Sequence, residues 1–124
     1  MKDNRPVNLD FTTFNLPLPA VTSIMHRISG GALFFGVAVL LFLLDASLES
    51  EEGFAMVSSW LGNPLIKLLV WAIVTALLYH LLAGIRHLIM DLGIGESLKG
   101  GVLGARLVIG LALVSAALAG VWIW

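Results

Sequence analysis

The sequence predicts an all-α integral membrane protein with three transmembrane helices and a short interfacial helix. Hydrophobic residues make up 59% of its 124 residues and charged residues only 12%, about half the charged fraction of an ordinary soluble domain. Three windows contain no Asp, Glu, Lys or Arg: 28–44, 68–85 and 107–124. Each is close to the roughly 20 residues that a helix needs to cross a bilayer. Because backbone groups in lipid must be paired within their own segment, each window should be helical.

Flanking residues extend each window, since long polar side chains can reach the membrane surface from inside it. We predict helices at about 22–45, 65–90 and 103–124, preceded by a polar N-terminal segment, 1–21. These elements form a single transmembrane domain over 1–124.

The basic residues predict the orientation of the spans, because Lys and Arg concentrate in cytoplasmic segments. Six of the seven lie before the first apolar window or between the second and third windows: Lys2, Arg5, Arg27, Arg86, Lys99 and Arg106. Only Lys67 lies near the other connection. The N-terminal segment is therefore expected in the cytoplasm and the C-terminus on the opposite side.

The connection between the first two spans contains a candidate interfacial helix. Ser50 can cap its start, and Glu51 and Glu52 suit the positive end of a helix dipole. Four apolar residues then share one face, which favours a helix lying on the membrane surface: Phe54, Val57, Trp60 and Leu61. Pro64 suits the first position of the next helix.

Composition also excludes several kinds of chemistry. The chain has no cysteine, so it forms no disulfide, ligates no iron–sulfur cluster and has no thiol nucleophile. Its net charge is −1, which gives no basic field for binding nucleic acid.

The three histidines all fall toward the predicted cytoplasmic side. His80 precedes Arg86 by six residues, about 9 Å deeper along a helix axis, within the hydrocarbon. An imidazole buried there is neutral and is a good metal ligand. Gly84 lies one turn further on the same face, and small residues at 29–32 give the first helix a smooth surface, so a planar cofactor fits between the helices. The alternative is a histidine that only hydrogen-bonds a neighbouring helix.

Two arginines receive different interpretations. Arg86 suits the negative C-terminal end of the second helix, which favours an interfacial anchor. Arg27 lies at the positive end of the first helix, so it calls for an anionic or carbonyl partner.

His80 and His87 lie about 10 Å apart along one helix and cannot ligate opposite faces of one metal. A second axial ligand would come from His26 or from another polypeptide, and a three-helix bundle is thin enough to expect a partner subunit.

The sequence contains three motifs in this order: Arg5-Pro6-Val7-Asn8-Leu9-Asp10, Ser23-x-x-His26-Arg27-x-Ser29-Gly30 and His80-x-x-x-Gly84-Ile85-Arg86-His87-x-x-x-Asp91-x-Gly93. In order and spacing they resemble the cytochrome b membrane-anchor (C) subunit of succinate dehydrogenase, respiratory complex II. The resemblance covers essentially the whole chain, and the loop 50–54 is similar to the proteobacterial branch.

The resemblance implies a haem b shared with the second hydrophobic anchor subunit, with His80 as the axial ligand from this chain. It implies that Ser23 and Arg27, with Ile24 as an apolar wall, belong to the ubiquinone site. His26 and Arg27 lie where the family contacts the haem propionates. We group Gly84 and His87 with this haem pocket, although the resemblance assigns no sharp role to His87, Arg86 or Asp91.

The resemblance also implies partners and location. The chain would join a flavoprotein, an iron–sulfur subunit and a second anchor subunit in a heterotetramer of the bacterial cytoplasmic (inner) membrane, with its C-terminus in the periplasm. It would contact lipid and ubiquinone, and pass electrons from succinate to ubiquinone as a subunit that is not catalytic alone.

Three other functions remain open at this point. A fumarate reductase anchor would run the reaction in reverse with a different quinone. A small proton-conducting subunit would use His80, His87 and Asp91 as a relay. A purely structural anchor would use the same polar residues only to hold a partner.

Overall fold

A computed structural model describes residues 16–124 of the chain. Four helices follow one another: α1 (Leu18–Glu49), α2 (Glu51–Trp60), α3 (Pro64–Asp91) and α4 (Leu98–Ile123). Within the described residues, α1, α3 and α4 are long and apolar enough to cross a membrane, which confirms the predicted all-α architecture. The motif at 5–10 and most of the segment predicted for 1–21 lie outside the described residues.

The first and last spans are longer than the apolar windows. α1 has 32 residues, about 48 Å of helix, and starts four residues before the predicted position. Pro17 is extended and Pro19 lies in the first turn, where a proline lacks only an N–H that has no partner within the helix. α4 starts five residues earlier than predicted because Ser97 caps it, accepting a hydrogen bond from the Gly100 N–H at 3.0 Å.

Local capping also defines the two internal boundaries. Ser50 is extended, so α1 ends there, and its hydroxyl accepts from the Gly53 N–H to begin α2. Asn63 accepts from the Leu65 N–H at 2.9 Å and caps α3. The turn from α3 to α4 passes through Gly93 and Gly95, whose φ angles of 82° and 73° lie in the left-handed region that glycine adopts most easily.

α3 is the central helix and packs against both α1 and α4. Glycines on its neighbours accommodate its large side chains. Gly30 and Gly36 of α1 face His80 and Ile73, while Gly104 and Gly120 of α4 face Arg86 and Trp71. A β-carbon at any of these glycines would lie 3.0 to 3.3 Å from the facing side chain. Small residues let membrane helices approach closely in this way.

Two hydrogen bonds join α3 to its neighbours at different levels. The Tyr79 hydroxyl donates to the Thr22 carbonyl of α1 at 2.7 Å, and both residues are buried. The Trp71 indole donates to the Ala116 carbonyl of α4 at 2.8 Å. Tyr79 also packs with Ala83 and Val108 in the buried core. Most other large apolar side chains are exposed on the bundle surface, which suits contact with lipid or partner helices.

Replacing Tyr79 with Phe removes the buried interhelical hydrogen bond and keeps the ring. We expect the free energy of unfolding to fall by about 1 kcal/mol, the net contribution of one such bond. Denaturation of the purified protein in mixed micelles, followed by circular dichroism, measures this change. The matched control is Ser47→Ala, which removes an exposed 2.7 Å bond to the Leu44 carbonyl within one helix. Equal stability of the two variants would contradict the importance of the bond between α1 and α3.

Candidate functional site

Five polar side chains meet between α1 and α3, on the side of the bundle that carries the 92–97 loop. α1 contributes Ser23, His26 and Ser29, and α3 contributes His80 and His87. All five lie within helices long and apolar enough to span a membrane. Polar groups at such depth are costly and usually mark function.

His80 is held from α1 through its Nδ1 atom. This atom lies 3.2 Å from the His26 carbonyl oxygen and 3.0 Å from the Ser29 hydroxyl. The Ser29 hydroxyl itself lies 2.8 Å from the same carbonyl. Because a carbonyl oxygen can only accept, the contact between Nδ1 and the His26 carbonyl assigns a proton to Nδ1. A neutral His80 then keeps its lone pair on Nε2, where it can bind a metal.

The His26 ring stacks on the His80 ring. Their centroids are 4.0 Å apart and their planes differ by 9°. Gly30 makes this arrangement possible, and Gly84 faces the His26 ring at ordinary contact distance. A β-carbon on Gly30 would lie 3.0 Å from Cε1 of His80, and one on Gly84 would lie 3.5 Å from Nε2 of His26. Gly84, which we expected to admit a flat group, is faced by the His26 imidazole.

Ser23 and His87 form the outer part of the cluster. The Ser23 hydroxyl lies 3.3 Å from Nε2 of His87. The His87 ring is tilted by 49° to that of His26, with centroids 5.1 Å apart. His26 thus bridges His80 and His87, which are about 10 Å apart along α3.

Arg27 and Ile24 take no part in the hydrogen bonds and ring contacts of the histidine cluster. Both are exposed, and 43% of the Ile24 surface is accessible. Of the predicted quinone-site residues, Ser23 contacts the cluster, whereas Arg27 and Ile24 are exposed on the surface of α1.

An apolar cavity of about 480 Å³ lies beside Ser29 and Tyr79, bounded by α1, α3 and α4. The Thr75 hydroxyl oxygen is buried and has no hydrogen-bond partner within residues 16–124. No role was predicted for Thr75 or for Trp71, which also lines the cavity. The i, i+4 spacing of Trp71, Thr75 and Tyr79 was the available signal, since it places all three on one face of α3.

Arg86 is buried in the bundle and does not extend to the membrane surface, as the predicted interfacial anchor would. Only 8% of its surface is exposed, and its Nη2 donates to the Gly101 carbonyl of α4 at 3.2 Å. The side chain lies against α4 because Gly104 leaves room for it. The C-terminal end of α3 favours a cation in either position, and the glycines of α4 leave room for a buried one.

Comparison with known proteins identifies the family of this chain. Residues 1–119 match the family described as succinate dehydrogenase/fumarate reductase transmembrane subunit. The succinate dehydrogenase cytochrome b556 subunit of Coxiella burnetii is 46% identical over 125 aligned positions, covering 100% of both chains. The cytochrome b556 subunit of Paracoccus denitrificans is 41% identical over 79% of this chain and 75% of its own. The mitochondrial cytochrome b560 subunit of Mus musculus is 38% identical over 90% of this chain and 68% of its own.

The family match covers nearly the whole chain, and the similarity to the Coxiella burnetii protein extends from end to end. Three apolar helices of suitable length agree with a transmembrane subunit. The chain belongs to the succinate dehydrogenase/fumarate reductase transmembrane subunit family, as a membrane subunit of the succinate dehydrogenase cytochrome b type.

Proposed function

We propose that this chain is the membrane anchor of a succinate:ubiquinone oxidoreductase and contributes an axial haem b ligand and part of the quinone site. The observation that carries the proposal is the hydrogen bond from His80 Nδ1 to the His26 carbonyl. The relatives' names, which specify cytochrome b subunits of succinate dehydrogenase, support a haem and favour this direction over fumarate reduction. They also favour an electron-transfer subunit over a proton conductor.

The residues around His80 fit a haem ligand. Metal-binding histidines usually donate their second ring N–H to a carbonyl or carboxylate, which fixes the ring and makes the coordinating nitrogen more basic. His80 has this arrangement, with Nδ1 held by the His26 carbonyl and Ser29. When bound, haem b supplies a one-electron redox centre whose potential depends on its axial ligands and their hydrogen bonds.

The second axial ligand is expected from the other anchor subunit. Two axial imidazoles must point their nitrogens at one iron from opposite sides. His26 instead lies parallel to His80, with the ring centroids 4.0 Å apart. This stacked arrangement supports a role for His26 in the wall of the pocket. We assign the haem propionates to Arg27, His26 and His87, and Gly84 to the pocket beside them.

Ser23 and His87 provide a polar contact for a quinone head. With a proton on His87 Nε2, the Ser23 hydroxyl accepts from that nitrogen and can donate its own hydrogen to a quinone carbonyl. Arg27 is exposed one turn further along α1, where its charge can stabilise negative charge on the quinone oxygens. Ile24 follows Ser23 in α1 and offers an exposed apolar surface.

The remaining parts of the assembly come from other chains. This chain has no cysteine, so an iron–sulfur subunit must deliver the electrons that a flavoprotein takes from succinate. We place both on the cytoplasmic face of the bacterial inner membrane, beside the basic residues that bias the orientation. The exposed apolar surface of the bundle suits the second anchor subunit and lipid.

Replacing His80 with Ala should remove the low-spin haem spectrum of the purified complex or alter it strongly, because the axial ligand is lost. The reduced-minus-oxidised visible spectrum, with succinate as reductant, measures this. Gly30→Ala should shift the spectrum as well, since its new methyl group would press on Cε1 of His80.

Gly31→Ala is the matched control for the haem experiment, because a β-carbon there meets nothing within 4 Å. We expect its spectrum to equal that of the unmodified complex. An unchanged spectrum in His80→Ala would refute the ligand assignment.

Ser23→Ala and Arg27→Leu should each lower succinate-driven ubiquinone reduction by about tenfold, as expected for the loss of one polar contact of roughly 1.4 kcal/mol. Succinate oxidation with a dye that accepts electrons from the soluble subunits should change little. The two rates are measured on the same purified complex.

Ser47→Ala and Arg106→Leu are the matched controls for the quinone experiment. Ser47→Ala removes a hydroxyl that bonds only within α1, and Arg106→Leu removes an exposed arginine of α4. Their rates should remain near those of the unmodified complex. Equal losses of the quinone and dye reactions in Ser23→Ala would indicate a folding defect and contradict a role in quinone binding.

A further inference from the structure

A buried arginine lines a second cavity, between α3 and α4 near the 92–97 loop. Arg86 is 8% exposed, and the cavity has a volume of about 250 Å³. Its other walls are apolar side chains and glycines, including Leu82, Ile85, Leu107 and Leu111. Neither the histidine cluster nor the proposed quinone site uses this cavity.

The charge of Arg86 is not balanced by a carboxylate among residues 16–124. Its Nη2 donates to the neutral Gly101 carbonyl at 3.2 Å, and its Nε has no hydrogen-bond partner in the described part of the chain. Gly101 lies in the first turn of α4, at the positive end of that helix dipole, which adds to the unfavourable potential. Buried charges are normally paired, so the guanidinium calls for an anion.

The position of the side chain indicates where that anion would bind. Long basic side chains at membrane helix ends usually reach outward to water. Arg86 instead lies along α4, where a β-carbon on Gly104 would be 3.2 Å from its Nε. It is five residues before the end of α3 at Asp91, about 7.5 Å from that end. Arg86 also directly follows the charge-free window 68–85, so we expect it near the boundary between headgroups and hydrocarbon.

The cavity opens sideways between two membrane-spanning helices. Three of its lining side chains are about half exposed on the outer surface of the bundle: Ile85 at 46%, Leu107 at 57% and Leu111 at 52%. A free inorganic anion would gain nothing from these walls, whereas an acyl chain would bury apolar surface along them. Basic pockets between membrane helices are known to bind anionic lipid headgroups.

We propose that this cavity binds one anionic phospholipid, with its phosphate on Arg86 and an acyl chain along Leu107 and Leu111. The unpaired Nε–H supplies a charge-assisted hydrogen bond to a phosphate oxygen. The site stands apart from the proposed haem and quinone functions and does not depend on them.

Native mass spectrometry of the assembled complex, titrated in detergent with phosphatidylglycerol or phosphatidylcholine, tests the proposal. The unmodified complex should bind its first phosphatidylglycerol more tightly than its first phosphatidylcholine. Arg86→Leu should lower the affinity for the first phosphatidylglycerol by about fivefold, the effect expected for one basic residue. Arg106→Leu, which removes an exposed arginine of the same helix pair, should leave that affinity unchanged.

Three results would overturn the proposal. Equal affinity for the two lipids in the unmodified complex would indicate that another group of the complex neutralises Arg86. Equal losses in Arg86→Leu and Arg106→Leu would indicate a general surface effect. Displacement of phosphatidylglycerol by excess inorganic phosphate alone would identify a free-anion site instead.

A second variant keeps the test decisive if Arg86→Leu prevents assembly. Leu111→Trp enlarges a half-exposed side chain at the cavity wall and leaves the guanidinium in place. It should lower the affinity for the first phosphatidylglycerol to a similar extent. Unchanged affinity in Leu111→Trp would also contradict the proposed lipid site.

Discussion

The contact between His80 of α3 and the His26 carbonyl of α1 determines the geometry of the site. At 3.2 Å it fixes the rotation of the imidazole and assigns the proton to Nδ1. Ser29 reinforces it from the same helix at 3.0 Å. In hydrocarbon an unpaired polar group is costly, so the contact orients the two helices as well as the ring. The placement of His26, Ser23 and His87 follows from that orientation.

Close packing of α3 against glycines makes this contact possible. Gly30 admits the His80 ring next to α1, and Gly104 admits the Arg86 side chain next to α4. Facing glycines therefore allow α3 to place His80 and Arg86 in two different environments. On the α1 side an imidazole is held by a carbonyl and a hydroxyl. On the α4 side a charged guanidinium meets a carbonyl and lacks an anion within the described residues.

The sequence predicted the number and order of the helices and the approach of the three histidines, because hydropathy and spacing along a helix are local properties. It placed the start of α4 too late, since the cap at Ser97 lies outside the apolar window. It did not predict the stacking of His26 on His80, which depends on how α1 is rotated against α3. Arg86 was misjudged because an outward and a buried side chain are both compatible with the α3 sequence, and the facing Gly104 distinguishes them.

The most direct measurement is a high-resolution cryo-electron microscopy map of the purified complex with its haem. We expect the iron to be bound by Nε2 of His80, with Nδ1 within hydrogen-bond distance of the His26 carbonyl, and the opposite axial position filled by a histidine of the second anchor subunit. A His80 ring directed at the lipid, with the iron bound by other residues, would contradict the proposed role of this imidazole.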